Sequence, residues 1–469
     1  MSTRYDATVS GPTREGDVSL ERRGIQPVPE GARYGRKYRS FTVFFAPNIV
    51  PAAFFLGTLA TASFIGLGWW TGLAAIILGN VVGSLLAGML ATMGPLTGLA
   101  QMPVARASFG KSIAVPALVN WATSIGWDAI NNVFGAAALS LLTGLPFWAS
   151  LILIFAGQGV LAIFGYEAIH SFEKWATFVL GAMFLIVTVK VIGIGDFHRA
   201  ATVHGPDLVG SFILMTTITA SFILGFSVYA SDYTRYLPRR TGKFEVFWRV
   251  ALGLALSSAW IEILGLAAAS ALKNEAPMNT LRDLVGGGLI GALAMLAVAG
   301  GTVAINAVND YSGSLSIQAA GIRIPRPVAA AVGAALGFAL TLWLNSGGLG
   351  GKFENFLLFV SYWPPAWGAV VLADWWLRKR IDITAIVDYR KLHSGWRALV
   401  AFLAGFAASI PFMNTTIFVG WVPANVLHGG DIAYLVGFVV AGAVYLILAQ
   451  DVRAVANRES VHEPQLTRA

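Results

Sequence analysis

Residues 124–135 read Ser-Ile-Gly-Trp-Asp-Ala-Ile-Asn-Asn-Val-Phe-Gly and lie within the apolar segment 113–142, which is long enough to cross a lipid bilayer. A carboxylate near the middle of a bilayer costs roughly 2.5–3.5 kcal/mol on insertion scales, so Asp128 should face a cavity or a partner. Trp127 and Asn131 are four residues apart and therefore share one face of a helix. The stretch predicts a buried surface for a flat molecule with polar edges.

The composition indicates a polytopic membrane protein. Of the 469 residues, 56% are hydrophobic and 12% are charged, whereas a soluble domain carries about 25% charged residues. The chain has no cysteine, which excludes disulfides and thiol chemistry. A net charge of +8 would suggest a nucleic-acid partner in a soluble protein. Here the basic residues set the membrane topology instead, and we expect no nucleic-acid partner.

Twelve apolar segments of spanning length follow a polar N-terminal stretch, and we number them spans 1–12. Their approximate limits are 41–65, 69–93, 113–142, 147–165, 172–195, 209–231, 245–272, 289–319, 327–345, 352–376, 396–418 and 431–450. This pattern predicts a cytoplasmic tail over 1–38, a ten-helix transport core over 39–376, a cytoplasmic loop with two further helices over 377–450, and a second cytoplasmic tail over 451–469.

The distribution of basic residues predicts the orientation. With both termini in the cytoplasm, all but five of the 32 Lys and Arg residues fall on the cytoplasmic side of the membrane. The five others are Lys190, Arg199, Lys273, Arg282 and Lys352. This bias obeys the positive-inside rule, so we expect a multi-pass protein of the cytoplasmic membrane with both termini inside.

Several function classes lack the residues that they need. All six His residues fall in loops or tails, so no span offers a His-based metal centre, and no P-loop is present for an ATP-driven pump. A channel would need a continuous polar stripe. The polar residues instead cluster at one depth in spans 1, 3, 6 and 8, which favours a carrier over a channel or a membrane enzyme.

Two spans carry residues that interrupt helices. Span 1 contains Pro47 and Pro51, each of which removes a backbone donor, and span 6 contains Gly225. Broken helices in corresponding positions of two inverted repeats are typical of secondary transporters, which bind substrate there. Because five spans separate them, we expect repeats over about 41–195 and 209–376.

Span 8, the partner of span 3 in this repeat, also carries amides. Asn306 and Asn309 are three residues apart and share a helix face. Such residues can contact a substrate or an ion, or can join membrane helices at roughly 0.6–2 kcal/mol each.

Five motifs occur in a characteristic order. They are Gly98-x-x-Gln101-Met-Pro-x-x-x-Arg106-x-x-Phe-Gly110 after span 2, Gly126-Trp127-x-x-x-Asn131 in span 3, Gly225-Phe-Ser-Val-Tyr-Ala-Ser-Asp-Tyr-Thr-Arg-Tyr-Leu-Pro238 from span 6, Asn309-x-Tyr-Ser-x-Ser-Leu-Ser316 in span 8 and Ala373-Asp-Trp-Trp-Leu-Arg378 at the end of span 10. From the Asn48 region through span 10, the chain resembles the nucleobase–cation symport family, specifically its purine/cytosine permease branch.

The resemblance implies an all-α LeuT-like fold with twelve transmembrane helices, a five-plus-five inverted repeat with broken spans 1 and 6, and two additional helices. It implies a symporter, not an enzyme, that imports a purine, cytosine or a related heterocycle by alternating access. A permease for hydantoin, allantoin or a thiamine-like vitamin is the alternative. The sequence leaves the oligomeric state open.

The resemblance also implies roles for individual residues. Trp127 would stack on the substrate ring and Asn131 would bond its edge, while Phe222 would cover the other face with Ser221 beside it. A substrate-contacting Asn of span 8 maps onto two residues. These alternatives are Asn306 and Asn309, and Asn48 in broken span 1 is a further candidate.

Uphill uptake needs a coupling cation, H⁺ or Na⁺, and no other cofactor. Sodium-coupled relatives use neighbouring Ser and Thr hydroxyls of span 8, where this chain offers Thr302 without an adjacent Ser/Thr pair. This favours H⁺, which needs a titratable group in a dry cavity. Asp128 is the first candidate and Glu262 in span 7 the second, although a structural bond to a neighbouring helix is the simpler interpretation of Glu262.

A charged cluster lies at the predicted cytoplasmic mouth. Its members are Asp232, Arg235, Arg239, Arg240 and Lys243. Local ion pairing of positive-inside charge is the simplest interpretation. Pairing of Asp232 or Arg235 across a gate is a further hypothesis.

Overall fold

A computed structural model describes residues 24–449, except 37, 165, 270–276, 323–325 and 379–380. Most of the predicted N-terminal tail and all of the predicted C-terminal tail lie outside these residues. The described residues form helices and loops, apart from one isolated β-bridge between Asn414 and Val419.

Twenty α-helices follow one another among the described residues. They are α1 (Arg39–Phe45), α2 (Pro51–Leu59), α3 (Trp69–Ala91), α4 (Met93–Thr97), α5 (Gln101–Phe109), α6 (Ala114–Thr143), α7 (Phe147–Phe164), α8 (Tyr166–Ile194), α9 (Gly205–Leu224), α10 (Ala230–Thr234), α11 (Lys243–Ala268), α12 (Pro277–Leu284), α13 (Gly288–Ala319), α14 (Arg326–Asn345), α15 (Leu349–Tyr362), α16 (Pro364–Leu377), α17 (Ile383–Val387), α18 (Trp396–Ser409), α19 (Trp421–Asn425) and α20 (Ala433–Leu448).

Each predicted span falls on one of these helices or on a consecutive pair. Among the described residues, seven helices are long and apolar enough to cross a membrane, or eight if α1 and α2 form one bent span. The helical architecture agrees with the sequence, and the count of twelve membrane crossings stays a prediction.

The predicted breaks in spans 1 and 6 are present. Span 1 bends by 63° between the Arg39–Asn48 and Pro51–Leu59 segments, because the prolines there donate no backbone hydrogen bond. Span 6 leaves α-helical geometry after Leu224, where the 3-10 turn Gly225–Tyr229 separates α9 from α10.

Span 10 falls on α15 and α16, which meet at Trp363, because Pro364 and Pro365 cannot donate backbone hydrogen bonds. Together they form one helical stretch, Leu349–Leu377, that is long enough and apolar enough to cross a membrane. One predicted boundary, the end of span 11, is wrong. The helix of span 11 ends at Ser409, and a 3-10 turn that contains Pro411 follows. Span 11 was predicted to continue to residue 418, but residues 410–418 are not α-helical.

The closest helix packing brings the polar faces of spans 3 and 8 together. α6 lies against α13, α3 lies against α9 and α11, and α11 lies against α2. A Cβ at Gly135 of α6 would approach the Thr302 side chain of α13 to 2.6 Å. This close approach depends on glycine and sets the two Asn-bearing faces in direct contact.

The segment 24–36 covers the end of the bundle at which α1 begins, and we call this end the N-terminal face and the other end the opposite face. Val28 is fully buried, and its N–H donates to the Gly98 carbonyl at 2.8 Å. The Arg235 guanidinium donates to the Gly24 carbonyl at 2.8 Å and to the Tyr311 hydroxyl at 2.6 Å. These bonds join the segment to Gly98 and to Arg235, and Arg235 in turn links it to Tyr311 of α13.

Candidate functional site

Trp127 lies in the middle of α6 between two aromatic rings. Phe222 of α9 packs at a centroid distance of 5.3 Å and an interplanar angle of 87°, and Phe356 of α15 packs at 5.0 Å and 85°. Gly126 permits the second contact, because a Cβ there would reach the Phe356 ring at 2.2 Å. The three rings form an aromatic cluster where α6, α9 and α15 meet.

The geometry of this cluster differs from a simple sandwich. Because Phe222 is perpendicular to Trp127, a flat molecule can stack between them only if the phenyl ring turns. Phe356 was not among the residues that the sequence predicted, since an aromatic in an apolar span gives no signal of its partner.

The Trp127 indole also carries a buried donor. Its Nε1–H has no hydrogen-bond partner among the described residues. Gly225, where span 6 breaks, lies against this edge, and a Cβ at that position would come within 3.2 Å of Nε1. An unpaired buried donor is unfavourable by about 1–3 kcal/mol, so the indole edge favours a ligand with an acceptor.

Carboxamides from α6 and α13 form a network beside the rings. Asn131 donates from Nδ2 to Asn306 Oδ1 at 2.9 Å. Asn306 donates in turn to the Asp128 carbonyl at 3.1 Å and to Asn132 Oδ1 at 3.0 Å. Asn306 is fully buried, and both ends of its amide are engaged within the protein.

Asn309 and Asp310 extend the network to the Asp128 side chain. Asn309 donates from Nδ2 to Asp128 Oδ1 at 3.1 Å. The Asp310 carboxyl group lies close enough to the Asp128 carboxyl group for the two to interact electrostatically. Asp128 is buried whereas Asp310 is exposed. Sequence reasoning missed Asp310, although it directly follows the predicted Asn309.

Four other predicted residues make contacts of their own. Thr302 lies next to the network, with its hydroxyl 3.5 Å from the Asn131 carbonyl. The Ser221 hydroxyl donates to the Ile218 carbonyl one turn earlier in α9.

Asn48 and Glu262 bond to helices outside the α6–α13 contact. Asn48 donates to the Phe44 carbonyl and to the Ser257 hydroxyl. Glu262 accepts from Asn80 at 2.6 Å and from Ser258 at 2.8 Å. Glu262 thus joins α11 to α3, which agrees with the structural interpretation of this residue.

Comparison with known proteins decides the family. The family model described as "Permease for cytosine/purines, uracil, thiamine, allantoin" matches residues 27–437. The chain belongs to this family. The family predicted from the five motifs is thereby confirmed, and the protein is a permease rather than an enzyme.

Two curated relatives span most of the permease. Purine-cytosine permease FCY2 of Saccharomyces cerevisiae is 28% identical over 467 residues, which covers 92% of this chain and 86% of that protein. Cytosine permease of Escherichia coli is 26% identical over 419 residues, which covers 87% and 92%.

Solved structures show the fold. Mhp1, a nucleobase-cation-symport-1 family transporter in a closed conformation with bromovinylhydantoin bound, matches with a TM-score of 0.73 at 19% identity, covering 93% of this chain and 96% of that one. The inward-facing conformation of Mhp1 matches with a TM-score of 0.72 at 20% identity, covering 94% and 95%. The predicted LeuT-like all-α fold is confirmed, and the details of the inverted repeat stay a prediction.

Proposed function

We propose that the permease is a secondary active symporter that imports a purine, cytosine or a closely related heterocycle across the cytoplasmic membrane by alternating access, driven by protons. The observation that carries this proposal is the meeting of the Trp127 indole with the carboxamides of α6 and α13. A nucleobase is planar and neutral, and its edges carry donors and acceptors that amides can pair with.

The local charge fits a neutral substrate. Among the described residues, Asp128, Asn131 and Asn306 bond to amides and carbonyls rather than to Lys or Arg. A substrate carboxylate or phosphate would need a cationic partner. The unpaired indole N–H supports a substrate with a carbonyl or ring nitrogen acceptor next to its stacking face.

The structure favours Asn309 over Asn306 as the substrate contact of α13. Asn306 uses both ends of its amide within the protein, whereas among the described residues Asn309 bonds through Nδ2 and not through Oδ1. Its Oδ1 can therefore accept from a heterocycle N–H. Asn131 likewise uses Nδ2 in its bond to Asn306, and its Oδ1 supplies a second acceptor.

The carboxyl pair supports proton coupling. Asp128 contacts the substrate network through Asn309, and the neighbouring carboxyl group of Asp310 lies at an exposed position. A proton that binds either carboxyl group would lie between the substrate site and the surface. Thr302 contributes one hydroxyl nearby, and a Na⁺ site would need several more oxygen ligands.

Radiolabelled uptake into proteoliposomes tests the proposal. A panel of purines, cytosine, hydantoin, allantoin and thiamine would be applied with H⁺ or Na⁺ gradients imposed separately. We expect accumulation of an unmodified purine or cytosine with the proton gradient alone, and its loss in Asp128→Asn. Accumulation driven only by Na⁺ would overturn the proposed proton coupling. Accumulation only of hydantoin, allantoin or thiamine would overturn the proposed substrate class.

A further inference from the structure

Glu354 is a buried carboxyl group on α15 that the transport site does not use. Its side chain is 4% exposed, and Oε2 is buried without a hydrogen-bond partner among the described residues. Phe353, Leu357 and Leu358 around it on the helix are fully buried. An ionised carboxylate in such a place lacks the donors that would replace water, so this position accommodates the neutral acid.

The other buried carboxyl groups of the described chain have donors. Asp128 accepts from Asn309, Asp232 from the Gln101 backbone and Glu262 from Asn80 and Ser258, while Asp374 accepts from Arg378 and Tyr445, and Asp431 from Tyr362 and two backbone amides. Glu354 therefore differs from the other buried carboxyl groups because, among the described residues, no donor bonds to its buried Oε2 atom.

The titratable groups on α15 itself, Lys352 and Tyr362, bond to partners other than Glu354. Lys352 donates to the Trp343 carbonyl at 2.6 Å and to the Ser346 hydroxyl at 3.1 Å. Tyr362 lies two turns from Glu354, and its hydroxyl donates to Asp431 at 2.6 Å. The remaining titratable groups with described side chains on the elements that pack against α15 are Asp128 on α6, Asp207 on α9, Asp374 on α16 with Arg378 directly after it, and Tyr434 and Tyr445 on α20.

Glu354 shares a short helix with the residue that covers Trp127. Phe356 contacts the indole, and both residues belong to α15, which is separated from α16 at Trp363. The prolines after this break donate no hydrogen bonds across it. Rotation of α15 about the break would move Phe356 off Trp127 and would carry Glu354 out of its buried position at the same time.

We propose that Glu354 is a proton-binding site whose occupancy is linked to closure of α15 over Trp127. With α15 closed, the carboxyl group holds its proton. When α15 swings away, water reaches the group and the proton leaves to the solution at the opposite face. Proton binding from that solution therefore favours closure. The inference rests on the proposed transport function, because it treats α15 as the cover of the substrate site.

A single-cysteine reporter tests this linkage. The natural chain has no cysteine, and a Cβ at Gly350 would lie 3.8 Å from Leu59 of α2, an ordinary contact. Gly350→Cys thus reports separation of α15 from α2. The rate of modification by a maleimide would be measured in sodium-free medium at acidic and mildly alkaline pH, relative to the same reporter combined with Glu354→Gln.

We expect the rate in the Glu354 background to rise with pH by about tenfold relative to the Glu354→Gln background, which corresponds to about 1.4 kcal/mol. Asp283→Asn removes an exposed carboxylate at the opposite face and should leave that rise unchanged. Glu354→Leu also removes the titrating group, should reproduce the Glu354→Gln result, and replaces that variant if Glu354→Gln folds poorly. Equal pH profiles in the Glu354 and Glu354→Gln backgrounds would overturn the proposal. Because the assay uses neither substrate nor gradient, its outcome is separable from the uptake experiment.

Discussion

Trp127 is the residue on which substrate stacking depends, and Trp127→Ala tests it. Stacking of a base on an aromatic side chain is worth about 1–3 kcal/mol, so we expect substrate affinity to fall by about 5- to 150-fold. Scintillation-proximity binding measures this directly. Trp148→Ala, which removes an exposed indole on α7, is the matched control. Near-normal affinity in Trp127→Ala would contradict the stacking role.

Alanine substitutions at Asn309 and Asn306 should have different effects on substrate binding and on thermal stability. Asn309→Ala removes an acceptor and one bond to Asp128, so we expect weaker substrate binding by about 1–2 kcal/mol, or roughly 5- to 30-fold, with little change in thermal stability. Asn306→Ala removes three hydrogen bonds within the protein and should lower the melting temperature more. Binding isotherms and thermal unfolding of both variants give the comparison. The reverse order would assign the substrate contact to Asn306.

At the scale of elements, Arg235 ties the N-terminal segment to α13. The guanidinium is fully buried and bonds to Gly24 and Tyr311, whereas Asp232 accepts from the Gln101 backbone. The gate hypothesis for Arg235 therefore gains specific partners from the structure. The contacts join segment 24–36, span 6 and span 8 at one end of the bundle.

Arg235→Glu should open the N-terminal face. Hydrogen bonds to a charged group are worth about 1.5–3 kcal/mol each, so loss of two should shift the ratio of open to closed forms by about 100-fold or more. Solvent accessibility of a single cysteine at Ser312, which is buried beneath this face, measures the shift. Arg240→Glu makes the same charge change at an exposed position of this face and should have little effect. Unchanged accessibility in Arg235→Glu would refute the gate.

At the scale of the whole molecule, the charge distribution predicts which face is cytoplasmic. Because the chain has no cysteine, single cysteines can be placed at Arg390 and at Ile417, two exposed positions in different loops. In intact cells, a membrane-impermeant maleimide should label Ile417→Cys at once and Arg390→Cys only after permeabilisation. Labelling in the opposite order would reverse the assigned orientation.

The sequence by itself determined the membrane class, the positions of the helical segments and the breaks in spans 1 and 6. These follow from local properties: the length of an apolar run, and the missing donors of Pro47 and Pro51. It also placed Trp127 and Asn131 on one helix face, since helical periodicity needs only the spacing. The division of span 10 at Trp363 could have been read from Pro364 and Pro365.

Only the tertiary structure decided what lies opposite those faces. It brought Phe356 to Trp127, Asp310 to Asp128, and Glu262 to Asn80. It also engaged both ends of the Asn306 amide while leaving an acceptor on Asn309. The physical reason is that periodicity fixes which residues of one helix point the same way, whereas their partners depend on how distant helices pack.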